Sequence, residues 1–163
     1  MGDDNEDLFN KEYGDNFKKH LLEQYKLFVG TSLDVTSKRL ESNKFHLTLN
    51  SVVFGFSSYM AVLNQHFVNI LFSAIGILIS FVWVKNILAY RELNRAKFEV
   101  IHKLEMRLPA RLFKYEEECY LDKYHGLTSL EKFYPIIFII LYSILIVLTI
   151  VNALGYHFPF NTT

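Results

Sequence analysis

Glu99, His102 and Glu105 stand at i, i+3 and i+6, a spacing that gathers two carboxylates and an imidazole toward one side of a helix and could begin a metal site. A di-iron bundle needs a Glu-x-x-His pair on each of two helices and two further Glu residues. This chain offers one such triplet, so the stronger reading is a set of solvated helix charges making spaced ion pairs. The patterns HExxH, paired CxxC, GxSxG and a glycine-rich phosphate loop do not occur. Cys119 is the sole cysteine and follows Glu116, Glu117 and Glu118. Nearby negative charge disfavours a thiolate, and a lone cysteine forms no internal disulfide. The expectation is no enzyme, no cofactor and no metal.

The basic residues Lys85, Arg91, Arg95, Lys97, Lys103, Arg107 and Arg111 are interleaved with Glu92, Glu99 and Glu105. Nucleic-acid binding needs a concentrated basic face, and this one is diluted. Lys85, Arg91 and Lys132 suit contact with anionic lipid head groups, with plain solvation as the alternative. Asn50, Asn69 and Asn152 lie in strongly apolar surroundings, where an amide seeks a partner. Ser51, Gly55 and Ser58, and again Ser73, Gly76 and Ser80, are spaced for close helix contact. Packing between helices and the lining of a water-filled path are the two uses open to Asn50, Gly55, Asn69, Gly76 and Asn152. No carboxylate or lysine accompanies them, which argues against a proton-coupled transporter.

The elements that would position these residues follow from where charge is absent. The chain carries 17 Lys+Arg and 17 Asp+Glu, yet none falls between Phe45 and Val84 or between Phe133 and Thr163. About 20 apolar residues span a bilayer as a helix. Asn64-Gln65-His66 divides the first run into spans at 46–63 and 67–84, and the second run gives a third span at about 135–154 within 133–155. The chain has too little other apolar sequence to cover Val68–Val84 and Ile136–Leu154 on every side, as a soluble core would require. The acidic opening MGDDNEDLFN is unlike a signal peptide. Basic residues flank the cytosolic ends, whereas 64–66 and 156–163 carry none, so the N-terminus and central arm are expected inside and the C-terminus outside. Trp83, Tyr90, Phe133, Tyr134, Tyr156 and Phe158 fall near the expected boundaries.

The predicted fold is an all-α integral membrane protein with three transmembrane helices, an N-terminal cytosolic helix and a long cytosolic extension of the second span. Residues 1–14 read as a disordered acidic tail. In 15–44, Phe17, Leu21, Tyr25 and Phe28 form one apolar stripe opposite Lys18, Lys19, Glu23 and Lys26. This stripe is expected to pack on a neighbouring helix. Gly30-Thr31-Ser32 leaves open whether that helix is interrupted or continues. The second span runs on without Gly or Pro to Leu108, giving one helix over 67–108 before Pro109. Its cytosolic part, in the arm 85–132, places Ile87, Arg91, Asn94, Phe98, Ile101, Glu105 and Leu108 at heptad spacing. That seam should pack on the N-terminal helix of its own or another subunit. One short helix fits between Pro109 and Gly126. Thr128 and Glu131 then form a capping box for the third membrane helix, which should bend at Pro135. Three spans do not enclose a pore alone, so any path needs several copies about an axis.

Glu23–Val29 (EQYKLFV), Lys38–Ser51 (KRLESNKFHLTLNS), Tyr90–Ile101 (YRELNRAKFEVI) with Glu105 and Arg107-Leu108-Pro109, and Leu127–Phe133 (LTSLEKF) with Pro135 occur in this order. Over about 15–155 the chain resembles the RipA-like family of small octameric bacterial membrane proteins. Gly30 stands where that pattern has an acidic, helix-favouring residue. The resemblance implies a homo-octamer in a bacterial inner membrane and no assigned reaction. Candidate assembly positions are Arg39 and Asn43 before the first span, and Tyr90, Asn94, Lys97, Phe98 and Glu105 on the stalk; packing within one subunit is the competing role for each. The partners implied are other copies of the chain and membrane lipids. Two functions follow: a channel-like or membrane-perturbing assembly acting in a stress response, or a membrane-anchored scaffold whose stalks recruit a cytosolic protein. A lipid-modifying enzyme is weaker, because no nucleophile-base pair is visible.

Overall fold

The computed structural model describes residues 8–9, 13–121 and 127–154. The tail 1–14 lies mostly, and the tail 156–163 wholly, outside the described residues, as does the side chain of Thr128. The described residues form four helices: α1 (Phe17–Val62), α2 (His66–Glu105), α3 (Leu112–Leu121) and α4 (Leu127–Ala153). α1 passes through Gly30 without a break. A helix-interior glycine costs only about 1 kcal/mol relative to alanine, and Thr31 and Thr36 bond back to the carbonyls of Phe28 and Ser32.

α1 ends in a Schellman turn. The amide of Gln65 donates to Met60 O and that of Asn64 to Ala61 O, with Asn64 at φ 56°. Asparagine is among the few non-glycine residues that adopt this conformation readily. The Gln65 carbonyl then accepts from Asn69 N, which starts α2 one residue earlier than expected. At its other end α2 stops at Glu105, short of Leu108. Arg107 and Leu108 donate instead to Leu104 and Glu105 in tightened turns, and a residue before proline is pushed away from helical backbone angles.

The chain forms two compact units, 1–38 with 90–125 and 39–89 with 126–163. In the first, Leu21, Ile101 and Leu104 are buried, Tyr25, Phe28 and Phe98 are half-buried, and Lys18, Lys19, Glu23 and Lys26 are exposed. The apolar stripe thus packs on the chain's own α2. Arg91, expected on the seam, is exposed instead, because a guanidinium is costly to bury without an acid beside it.

In the second unit the usual distribution is inverted. Asn50, Ser57, Asn69, Ser73, Ser80 and Thr149 are buried, while Leu78, Phe81, Ile140, Ile144 and Val147 are exposed. Water favours the reverse arrangement; hydrocarbon favours this one, since lipid covers leucine as well as protein does and polar groups gather inside. α2 and α4 are each long and apolar enough to cross a membrane.

Candidate functional site

The polar interior of the second unit is a ladder of hydrogen bonds joining α1, α2 and α4. At one end Thr149 Oγ1 donates to Asn69 Oδ1 at 2.8 Å. Asn69 Nδ2 donates to the Ser57 carbonyl at 2.7 Å, and Ser57 Oγ donates to the Asn69 carbonyl at 3.1 Å. Ser73 Oγ lies 2.7 Å from Ser57 Oγ. One turn further along α2, Gly76 faces the ring of Tyr142, and a Cβ there would collide with it. Tyr142 OH donates to the Asn50 carbonyl at 2.9 Å. Ser80 Oγ is 2.9 Å from both Asn50 Oδ1 and the Gly76 carbonyl, and Asn50 Nδ2 donates to the His46 carbonyl.

The ladder continues toward the other end of this unit. The His46 ring stacks on Trp83, with centroids 5.8 Å apart, and Trp83 Nε1 donates to Asn43 Oδ1 at 2.9 Å. Asn86 Nδ2 donates to Ser42 Oγ at 2.6 Å. Arg39 donates to Glu131 at 3.0 Å, tying α1 to the first part of α4. Glu131 thus makes a charge-assisted bond to α1; the capping box expected between it and Thr128 lies outside the described residues.

The first unit holds a different constellation. Glu105 is fully buried. Its Oε1 accepts from Tyr25 OH at 2.9 Å and from the Phe113 amide at 3.0 Å, and its Oε2 accepts from the Lys114 amide at 3.2 Å. The carboxylate thereby satisfies first-turn donors of α3 that no residue of α3 itself covers. Burial, and then the hydrogen bond and charge of Glu105, push the Tyr25 hydroxyl up to about 12. Phe98 meets Phe113 edge-on at 5.8 Å, which adds an apolar contact to the same joint. Lys97 Nζ donates to Thr31 Oγ1 at 2.9 Å and sits over the Phe28 ring.

Glu99, His102 and Glu105 turn to three different partners. Glu99 pairs with Arg95, His102 lies 3.7 Å from Glu117, and Glu105 caps α3. Among the described residues no group of three or more His, Cys, Asp or Glu side chains could hold a metal ion.

Of the positions singled out from sequence, Asn50, Asn69 and Gly76 meet in the ladder, and Arg39 and Asn43 extend it. Lys97, Phe98 and Glu105 make contacts within one chain. Tyr90 and Asn94 are half-buried, and Asn94 Oδ1 is a buried atom with no partner among the described residues. Asn152 reaches Asn64 only at 3.5 Å. Gly55 and Ser51 mediate no helix contact among the described residues: both are exposed, and nothing described lies within 4 Å of a Cβ placed at Gly55. Their place is taken by Ser57, on the α1 face that already carries Asn43, His46 and Asn50 at steps of three, four and seven. That spacing was the signal for Ser57. Thr149 and Tyr142 had no comparable signal.

Comparison with curated proteins and with solved structures gives no significant match. The sequence profile of the octameric membrane protein family (8xMP) matches residues 22–151, which cover the ladder, the Glu105 joint and nearly all of the four helices. An inverted core, two helices able to cross a bilayer and this match agree: the chain belongs to the octameric membrane protein family.

Proposed function

We propose that the protein is a three-span subunit of a channel-like octamer in a bacterial inner membrane, akin to the RipA-like proteins, with the α1 segment after Phe45 turned toward other copies. The observation that carries this reading is a contrast between exposed faces. α2 and α4 expose Leu71, Ile75, Leu78, Phe81, Ile140, Ile144 and Val147, side chains suited to lipid. Along one face α1 exposes Thr48, Ser51, Gly55 and Tyr59, small or hydroxyl-bearing residues interleaved with Val52 and Val62, so this face is more polar than those of α2 and α4. The ladder inside each subunit is closed by its own bonds, so a path would run between copies rather than through one. Basic residues at 38, 39, 44, 85, 91, 95, 97 and 132 support a cytosolic N-terminus and arm and an external C-terminus.

Cysteine accessibility tests this reading. In a Cys119→Ser background, Gly55→Cys should react with a small charged thiol reagent in proteoliposomes while Leu78→Cys does not, and the vesicles should release a small dye. Equal silence of both cysteines together with tight vesicles would sink it. The scaffold alternative is favoured by one feature, the exposure of Leu112 and Tyr115 on α3. Under it, vesicles stay tight and α3 variants lose activity in cells.

A further inference from the structure

α1 carries a second stripe that the described residues leave largely uncovered, with only Val29 half-buried. Leu22, Lys26, Val29, Leu33 and Thr36 recur at steps of four, three, four and three, the spacing of a helix-helix seam. Leu33 is 64% exposed and Leu22 42% exposed, although both belong to the unit built from 1–38 and 90–125. In the same unit α2 bears a matching stripe of smaller residues, Leu93, Ala96 and Val100, at steps of three and four. Leu93 is 46% exposed, Ala96 is exposed and Val100 is half-buried. In water such paired apolar stripes mark contact with another helix.

The geometry indicates what covers them. At about 100° per residue, the α1 stripe lies roughly 90° to one side of the seam facing α2, and the α2 stripe roughly 130° from the seam facing α1. The helices run antiparallel, so the two stripes open on opposite sides of the pair. Opposite, unlike patches on one subunit are what a head-to-tail ring uses, and a two-fold dimer would instead pair a patch with itself. The register agrees as well. Tyr25 bonds Glu105 and Thr31 bonds Lys97; by that alignment Val29 is level with Val100, Leu33 with Ala96 and Thr36 with Leu93. Lys26 then has Glu99 of the next copy within about one helical turn.

We infer that the α1 stripe Leu22–Val29–Leu33 of one copy packs into the α2 stripe Leu93–Ala96–Val100 of the next, making a head-to-tail seam outside the membrane segments. The inference rests on the octameric reading and names the surfaces that the octamer joins. The test is disulfide trapping in the full-length protein with Cys119→Ser, extracted gently and measured for native mass and helical content before oxidation. Leu33→Cys with Ala96→Cys in one chain should give a ladder of covalent species extending to eight. Leu33→Cys alone, Ala96→Cys alone, and Leu27→Cys with Ala96→Cys should stay monomeric on a denaturing gel. An intact octamer without the ladder overturns the seam alone. A dimer from Leu33→Cys alone overturns the head-to-tail arrangement, and a native mass below eight copies overturns the octameric reading and the seam with it.

Discussion

Asn69 and Ser57 hold each other twice: the amide of Asn69 donates to the Ser57 carbonyl, and the hydroxyl of Ser57 donates to the Asn69 carbonyl. Thr149 adds a third helix to the pair through Asn69 Oδ1. Asn69→Ala removes the side-chain bonds to Ser57 and Thr149, keeps the bond from Ser57 Oγ to the backbone carbonyl, and leaves the Thr149 hydroxyl only its bond to Leu145. Interhelical hydrogen bonds in lipid are worth about 0.6 kcal/mol each and at most about 1.7, so the variant should lose about 1 to 3 kcal/mol. Denaturant unfolding in mixed micelles measures this, and a double cycle with Thr149→Val should show coupling.

Gly76 admits the ring of Tyr142 against the α2 backbone. Gly76→Ala should therefore be destabilising by about 1 to 3 kcal/mol through overpacking, despite alanine's better helix propensity. Tyr142→Ala in the same chain removes the colliding ring. The double variant should be more stable than the sum of the two singles predicts, read as the midpoint of thermal aggregation in detergent.

The Glu105 joint holds α3 by accepting two of its amides. Glu105→Ala leaves those donors and the Tyr25 hydroxyl without their acceptor, at about 1 to 3 kcal/mol for each buried group left unsatisfied. Hydrogen exchange at Phe113 and Lys114 should speed up far more than exchange in the middle of α2. If exchange in α3 is unchanged, the carboxylate is not what holds it.

Tyr25 gives a pH dependence of known sign. Its ordinary value of 10 is raised to about 12 by burial and then by Glu105. The unfolded chain ionises first, so this contribution to stability is fully present below pH 10 and is lost as pH climbs from 10 to 12. Tyr25→Phe should flatten the alkaline fall of the unfolding midpoint relative to the parent chain. Identical alkaline profiles for the two chains would remove Tyr25 as a cause.

Much of this arrangement can be read from residue spacing, and the exceptions have physical causes. Helical periodicity identifies the seam through Leu21, Tyr25, Phe98 and Ile101, and the buried amides Asn50 and Asn69 are legible because an amide in an apolar run needs a partner. Gly30 was undecided from sequence because its small penalty is offset by packing on either side. Ser51 and Gly55, spaced for close helix contact, stay exposed within one chain, because spacing alone does not tell which face of an apolar helix meets its own neighbours. Glu105 is the clearest case: at heptad spacing it reads as a seam position, but its work as a cap for α3 depends on a turn at Pro109 that brings distant amides back to it.

The three-residue turn at 63–65 bears on how the protein is made. On the three-span reading, Asn69 reaches Ser57 across that turn, and Ser80 reaches Asn50 further back. Asn69 Nδ2 and Ser57 Oγ find their partners only across the turn, so either helix alone in hydrocarbon would leave them unsatisfied. On the three-span reading the two arms are therefore expected to enter the bilayer together as one hairpin, with Thr149 and Tyr142 arriving last to close it from α4.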